Sequence, residues 1–219
     1  MNARRCSTEA AESTVDRVLM KRCVELSAKA AERGEPPFAA LVAQGARVVV
    51  EATNRVTQNA DVTQHAELIA VSEVQKVLGT KDLNGCTIYS TVEPCAMCAF
   101  PIRETRISKV VYGISSPMMG GLSKWNVLRD SEIGNVMPEV FGPVPEVIAG
   151  LLRHEVEQVW TKWNPVAWAV IKYRGCFGPA ETEGCDHMPG IPQARSLTRT
   201  LAMLHENLHA RWGGRNGHN

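Results

Sequence analysis

Four residues in two short stretches have the types and the spacing for chemistry at a metal. His65-Ala66-Glu67 offers an imidazole and a carboxylate, and Glu93-Pro94-Cys95-Ala96-Met97-Cys98 offers two thiols three positions apart. A catalytic zinc takes three protein ligands and leaves one tetrahedral position to water, and Cys/Cys/His is an accepted set. Cys95 and Cys98 can face one metal from the first turn of a helix, whose positive N-terminal end favours the thiolate. His65, opening a second helix, would supply the third ligand. Glu67, two residues on, points elsewhere and suits a proton carrier. Zinc brings the acidity of water towards neutrality, and a nearby carboxylate then takes the proton. The chemistry implied is hydrolytic.

Each of these readings has a plainer rival. A Cys-x-x-Cys pair alone is equally a redox motif or half of a structural zinc knuckle. With His-x-Glu upstream and Pro94 directly before Cys95, the catalytic reading is preferred, because a structural site needs a fourth ligand and no obvious one is near. Asn54, at a strand end, is ordinarily a turn residue. Phe38 reads equally as core or as pocket wall. Cys6, Cys23 and Cys86 read as residues of a tail, a helix face and a strand. Cys176, Cys185 and His187 fit no strong metal motif, His154 reads as structural, and Trp125, Trp160, Trp163 and Trp168 read as core or interface.

The elements that must position these residues follow from periodicity. Val15, Val18, Leu19, Leu26 and Ala30 recur at helical spacing over residues 13 to 33, with Ser13 or Thr14 as cap and Gly34 as stop. Residues 38 to 43 and 48 to 52 read as a hairpin, and a polar loop over 54 to 64 delivers His65 to a helix ending near Leu78. Residues 86 to 91 read as a buried strand, 95 to 104 as a helix and 108 to 112 as the next strand. Helix and strand thus alternate as in a mostly parallel sheet with helices on its faces. Both motifs fall where such sheets place their ligand crevices. Further on, a short helix is expected around Trp125 and a Pro- and Gly-rich loop over 134 to 145. A helix over about 146 to 160 and an apolar segment over 166 to 173 follow, with an amphipathic stretch over 197 to 212.

Length and composition bound the rest. A chain of 219 residues with 44% hydrophobic content can bury one good core. A net charge of +1 makes no electrostatic case for a polyanionic partner. Seven cysteines without a regular framework point to a reducing compartment. Residues 1 to 14 show no secretory pattern and no stretch reaches membrane-spanning length, so a cytoplasmic location is expected. The expected organisation is a disordered N-terminus over 1–12, a catalytic domain over 13–177 with a C-terminal helical extension, and a partly disordered tail over 178–219.

His-x-Glu followed by Pro-Cys-x-x-Cys resembles the signature of the zinc-dependent cytidine/deoxycytidylate deaminase superfamily. Asn54-Arg55-Val56-Thr57 and Asp61-Val62-Thr63-Gln64 look like the lead-in of its branch holding bacterial guanine deaminases and tRNA adenosine deaminases. Pro37-Phe38-Ala39-Ala40-Leu41-Val42 resembles that branch's first strand, with Ala39 where glycine is usual. The resemblance spans residues 14 to 115. It implies a three-layer α/β/α sandwich with a mixed, mostly parallel five-stranded sheet, here with an extended C-terminus. It implies one zinc per chain, with a catalytic water, on His65, Cys95 and Cys98. It also implies a proton shuttle at Glu67 and a base-binding Asn54, with Ala66 and Phe38 beside it.

The reaction implied is hydrolysis of the C–N bond of a cyclic amidine, with release of ammonia. Guanine leads as substrate, because Asn54-x-Val56-Thr57 before Asp61 looks more like the guanine deaminases and the charge is near neutral. Against a simple match, Ala99-Phe100-Pro101 replaces the small pair that tRNA enzymes carry, and residues 118–127 depart from the guanine deaminase pattern. Gly120-Gly121-Leu122 resembles the tRNA branch. The alternatives are deaminases of tRNA adenosine, of cytosine-type substrates, or of a triazine or pterin. In another class stands an inactive relative serving as a zinc-binding interaction module, against which the intact Glu67 argues. Members of the branch are commonly homodimers, so a homodimer is expected, with the segment over 147–173 as its candidate cover.

Overall fold

A computed structural model describes residues 13–178. Ser13 opens the first helix, α1 (Thr14–Glu32), through a capping box in which its hydroxyl accepts from Asp16 N and the Asp16 carboxylate accepts from Ser13 N. Asp16 is buried, and it also takes hydrogen bonds of 2.8 Å from the Tyr89 hydroxyl and from Lys109 Nζ. One carboxylate therefore caps α1 and ties it to two strands.

Five strands form one sheet in the order β2-β1-β3-β4-β5: β1 (Ala39–Gln44), β2 (Arg47–Thr53), β3 (Cys86–Val92), β4 (Lys109–Ile114) and β5 (Glu146–Ala149). β1 is antiparallel to both β2 and β3, while β3, β4 and β5 are parallel. Four strands thus run one way and β1 alone runs back, the mixed and mostly parallel sheet that was expected. The hairpin turns at Gly45, whose φ of 55° suits a residue without Cβ.

Strand alternation separates two cores. Ala39, Leu41, Ala43, Tyr89 and Val111 face a cluster with Leu19, Met20, Cys23 and Leu26 of α1 and with Val156 and Trp160 of α6 (Arg153–Trp163). Ala40, Val42, Ile88, Val110 and Tyr112 face the opposite cluster, with Ala66, Ala70, Val71 and Val74 of α3 (Ala66–Leu78) and Ala99 and Ile102 of α4 (Ala96–Glu104). Helices on both faces of a sheet give the three-layer sandwich, with α3 and α4 side by side on one face. No helix among the described residues is long and apolar enough to cross a membrane.

Several elements differ from the sequence expectation. The 54–64 loop contains a short helix, α2 (Val56–Asn59), closed by Ala60 at φ 50°. Residues around Trp125 form turns, and the helix of this region is α5 (Ser131–Val136), capped by Asp130 Oδ1 accepting from Glu132 N at 2.8 Å. Part of the expected Pro/Gly loop is therefore helical. The helix expected from residue 146 is a strand first: β5 pairs with β4, and α6 begins at Arg153 after Gly150 and Leu152 adopt positive φ. Four residues from Glu146 to Ala149 are too few to separate a strand period from a helical one.

The apolar segment beyond Asn164 is α7 (Pro165–Tyr173), its N-cap Asn164 Oδ1 accepting from Ala167 N. Trp160 lies at the centre of an aromatic cluster, with ring centroids 5.0 Å from Phe38, 5.6 Å from Trp163, and 5.4 Å from both Trp168 and Phe177. The tryptophans offered as a dimer cover thus include two, Trp160 and Trp168, that are buried in this chain's own core. The expectations for residues 1–12, Cys6, Cys185, His187 and the stretch over 197–212 lie outside the described residues.

Candidate active site

The two motif helices begin side by side, and each begins on a ligand candidate. His65 is the N-cap of α3, its carbonyl accepting from Ile69 N at 3.0 Å. Cys95 is the N-cap of α4, its carbonyl accepting from Ala99 N at 2.8 Å, and Cys98 lies one turn on. Neither side chain caps a backbone N–H of its own helix, so imidazole and thiol remain free for each other. The atoms His65 Nδ1, Cys95 Sγ and Cys98 Sγ form a near-equilateral triangle, with edges of 3.6 Å (Cys95–His65), 3.5 Å (Cys98–His65) and 3.5 Å (Cys95–Cys98).

A tetrahedral zinc with bonds of about 2.3 Å to sulfur and about 2.0–2.1 Å to nitrogen places its ligand atoms about 3.5–3.8 Å apart. The triangle fits that ion without rearrangement, and among the described residues it is the His/Cys/Asp/Glu group able to hold a metal. The electrostatics agree. Contact with Cys98 Sγ at 3.5 Å and with His65 holds the Cys95 thiol down at about 4 against its burial. The same contact, together with burial, pushes Cys98 up. Contact with Cys95 raises His65 against the effect of burial. A zinc held by these three residues would ionise both thiols.

Glu67 stands in the first turn of α3, buried at 5% exposure, with Oε2 3.8 Å from Cys98 Sγ. Burial pushes its carboxyl above the usual carboxylate range, which suits a group that must both take and give a proton. Its Oε1 is 2.8 Å from Ser90 Oγ, in β3. Ala66 is fully buried in the core beneath α3, so any contact it makes with a ligand would run through the backbone.

Asn54 follows β2 directly, and because Ala40 pairs with both Ala52 and Ser90, the carboxyl ends of β2 and β3 lie at the same end of the sheet. It is 5% exposed, and its Nδ2 donates to Glu35 Oε2 at 3.1 Å. Glu35 Oε1 in turn accepts from Gln58 N in α2 at 2.7 Å. Phe38 sits at the head of β1 with its ring against Trp160 and Phe177, the core-facing option of its two readings.

Sequence reasoning missed Glu35, Ser90 and the work of Glu93. A carboxylate just before Pro36-Pro37 carries no periodic signal. Ser90, by contrast, is a polar residue inside the apolar run of β3, and such a group must find a partner. Glu93, 3% exposed, accepts from Ser116 N (2.7 Å), Leu122 N (2.9 Å), Ser123 N (2.7 Å) and the Ser123 hydroxyl (2.7 Å). It thereby fastens the segment over 116–123 to the loop bearing Cys95. Backbone bonds from Gly121 N to Pro94 O (2.8 Å) and from Ala96 N to Met119 O (3.2 Å) run beside it. Arg103, 1% exposed at the far end of α4, holds Val127 O, Asp130 O and Gly142 O through its terminal nitrogens at 2.7, 2.8 and 3.1 Å.

Comparison with known proteins gives a consistent picture. The family model for the cytidine and deoxycytidylate deaminase zinc-binding region matches residues 13–114. The tRNA-specific adenosine deaminase of Bacillus subtilis (strain 168) is 35% identical over 142 residues, 64% of this chain and 87% of that protein. A probable cytosine deaminase of Schizosaccharomyces pombe is 36% identical over 154 residues, 70% of this chain and 86% of that protein. A solved structure from work on A-to-I editing by tRNA:A34 deaminases superposes with TM-score 0.57 at 30% identity, covering 64% of this chain and 96% of that one. The guanine deaminase of Nitrosomonas europaea superposes with TM-score 0.55 at 22% identity, covering 71% and 86%, a likeness of fold.

Proposed function

The chain belongs to the cytidine and deoxycytidylate deaminase zinc-binding family, and from that premise we propose that it hydrolytically deaminates a free aminated base, with guanine leading. A zinc deaminase of this family cleaves C–N bonds of nucleobases or nucleosides. The observation that carries the residue assignment is the His65/Cys95/Cys98 triangle with the buried Glu67 carboxylate 3.8 Å from Cys98 Sγ.

In this reading His65 Nδ1, Cys95 Sγ and Cys98 Sγ would hold the zinc, which would supply Lewis acidity that activates water at neutral pH. Glu67 does the proton work. It takes a proton from the attacking water as oxygen bonds to the ring carbon bearing the amino group, and passes it to the adjacent ring nitrogen. It then takes the second proton, from the hydroxyl now on the ring carbon, and delivers it to the amino nitrogen as the C–N bond breaks, so ammonia leaves and a ring carbonyl remains. Asn54 orients the base. With Nδ2 committed to Glu35, its Oδ1 is the atom left to accept a donor from the ring. Burial of Glu67 keeps bulk water from short-circuiting these transfers.

The free-base reading rests on the near-neutral charge of +1 and on the resemblance at Asn54 to Thr57. A second reading, an adenosine within tRNA, is favoured by the 35% identity to the Bacillus subtilis enzyme. Ammonia release by the zinc-loaded protein decides between them. The panel is guanine, adenine, cytosine, their nucleosides, pterin, aminotriazines and a tRNA anticodon arm. Turnover of guanine supports the first reading, turnover of the RNA alone replaces it with the second, and silence across the panel with zinc bound overturns both.

A homodimer is also proposed. What supports it is the exposure of large apolar side chains, Met97 and Phe100 on α4 and Met118, Met119 and Trp125 on the segment whose backbone bonds to Pro94 and Ala96. A monomer in sedimentation at micromolar concentration would contradict it.

A further inference from the structure

We propose that Ser90 is a positioning residue for Glu67. It anchors Oε1 of the carboxylate so that Oε2 faces the thiolate and imidazole cluster. The inference rests on the proton-carrying role given to Glu67 above.

The sheet places Ser90 where this work can be done. Alternation along β3 turns Ser90 to the same face as Ile88, the face covered by α3, while Tyr89 packs on the other side. Its backbone is held on both sides, paired with Ala40 of β1 and with Tyr112 of β4, so it moves with the centre of the sheet. The side chain is 1% exposed, and its hydroxyl lies 2.8 Å from Glu67 Oε1 and 2.7 Å from Val92 O. Glu67, by contrast, reaches into the site on a flexible stem from the first turn of α3. Without an anchor its carboxylate has several rotamers to choose from.

The hydroxyl has one proton and two lone pairs. It can donate to Glu67 Oε1 or turn its proton to Val92 O. An alanine can do neither. A rigid strand residue that fixes a working side chain is how precise catalytic geometry is usually supported, and misplacement by about 1 Å can cost about 100-fold in rate.

The test compares Ser90→Ala and Ser90→Thr, alone and with Glu67→Gln, as zinc-loaded protein of measured zinc content and melting temperature. Ser90→Ala is expected to lower kcat by about 10–100-fold with KM and zinc content unchanged, and Ser90→Thr, which keeps the hydroxyl, to restore most of it. In the Glu67→Gln background Ser90→Ala is expected to cost nothing further, because the two residues act as one unit. A crystal structure of Ser90→Ala supplies a readout independent of turnover, and Glu67 is expected there in more than one rotamer. An unchanged kcat, a loss that multiplies in the double variant, or a Glu67 carboxylate that keeps its place in the Ser90→Ala crystal overturns the proposal. Failure of the deaminase reading is seen separately, as an unmodified protein that holds zinc and releases no ammonia from any member of the panel.

Discussion

The Glu93 carboxylate fills the space that a side chain on Gly120 would need: a Cβ there would collide with both Oε1 and Oε2. The carboxylate can collect its four donors from the segment over 116–123 only because that segment brings a residue without a side chain against it. Cys95 pairs with Gly120 across an isolated bridge, so the same contact supports the loop that presents a candidate zinc ligand. Gly120→Ala is therefore expected to destabilise the fold by about 1–3 kcal/mol and to weaken zinc retention. Thermal melting and competition with a chelator check both. A variant with unchanged melting and zinc affinity would show that the loop yields freely.

Glu35 sets what Asn54 offers to a ligand. A carboxylate accepts, so the amide must turn its NH2 group towards Glu35, which in the proposed reading leaves Oδ1 for the substrate. Glu35→Gln lets the amide turn the other way and loosens the bond to Gln58 N in α2. The expected outcome is a KM raised by about 10-fold, a loss of about 1.4 kcal/mol in binding, with kcat changed far less. A kcat that falls while KM stays fixed would move Glu35 from binding to chemistry.

Asp16 predicts an acid limit to stability that has nothing to do with the site. Burial opposes its ionisation, but hydrogen bonds from Lys109, Ser13 and Tyr89 prevail and hold its carboxyl at about 2, against 3.8 for a free side chain. Because the folded value is the lower one, the stabilisation is fully present above about pH 4 and is lost as pH falls towards about 2, amounting to about 2 kcal/mol. Asp16→Asn should be less stable than the unmodified protein at pH 6, with the gap closing between pH 4 and pH 2. Denaturant melts across that range measure it, and a gap independent of pH would assign the effect to packing.

What was legible in the sequence follows from how local each cause is. His65, Glu67, Cys95 and Cys98 could be read because metal chemistry demands particular side chains at short spacings on two helix starts, and those helices announce themselves by periodicity and by Pro94. The strands of the first core could be read because β1 and β3 are apolar runs bounded by turn residues. The partners of the site could not. Glu35 meets Asn54, and Ser90 meets Glu67, across 19 and 23 positions, through sheet register that no local pattern encodes. β5 was hidden for a different reason, since four residues between a Pro-rich loop and a strong helix merge with the helix. The sequence leaves the tryptophans of α6 and α7 between core and interface because amphipathic helices do not say which neighbour covers them, and for Trp160 it is Phe38 and Phe177 of the same chain.

The most direct test of a zinc-dependent deaminase with Glu67 as its proton carrier is a zinc titration of the stripped protein, followed by ammonia release from whichever panel substrate turns over. Activity is expected to rise linearly and stop at one zinc per chain, and chelation is expected to remove it and to lower the melting temperature. Glu67→Gln should bind the same single zinc with turnover lower by about 100- to 10,000-fold, while Cys95→Ala should bind zinc weakly. Activity that survives complete removal of zinc, or a Glu67→Gln protein that turns over at the unmodified rate, would contradict the account.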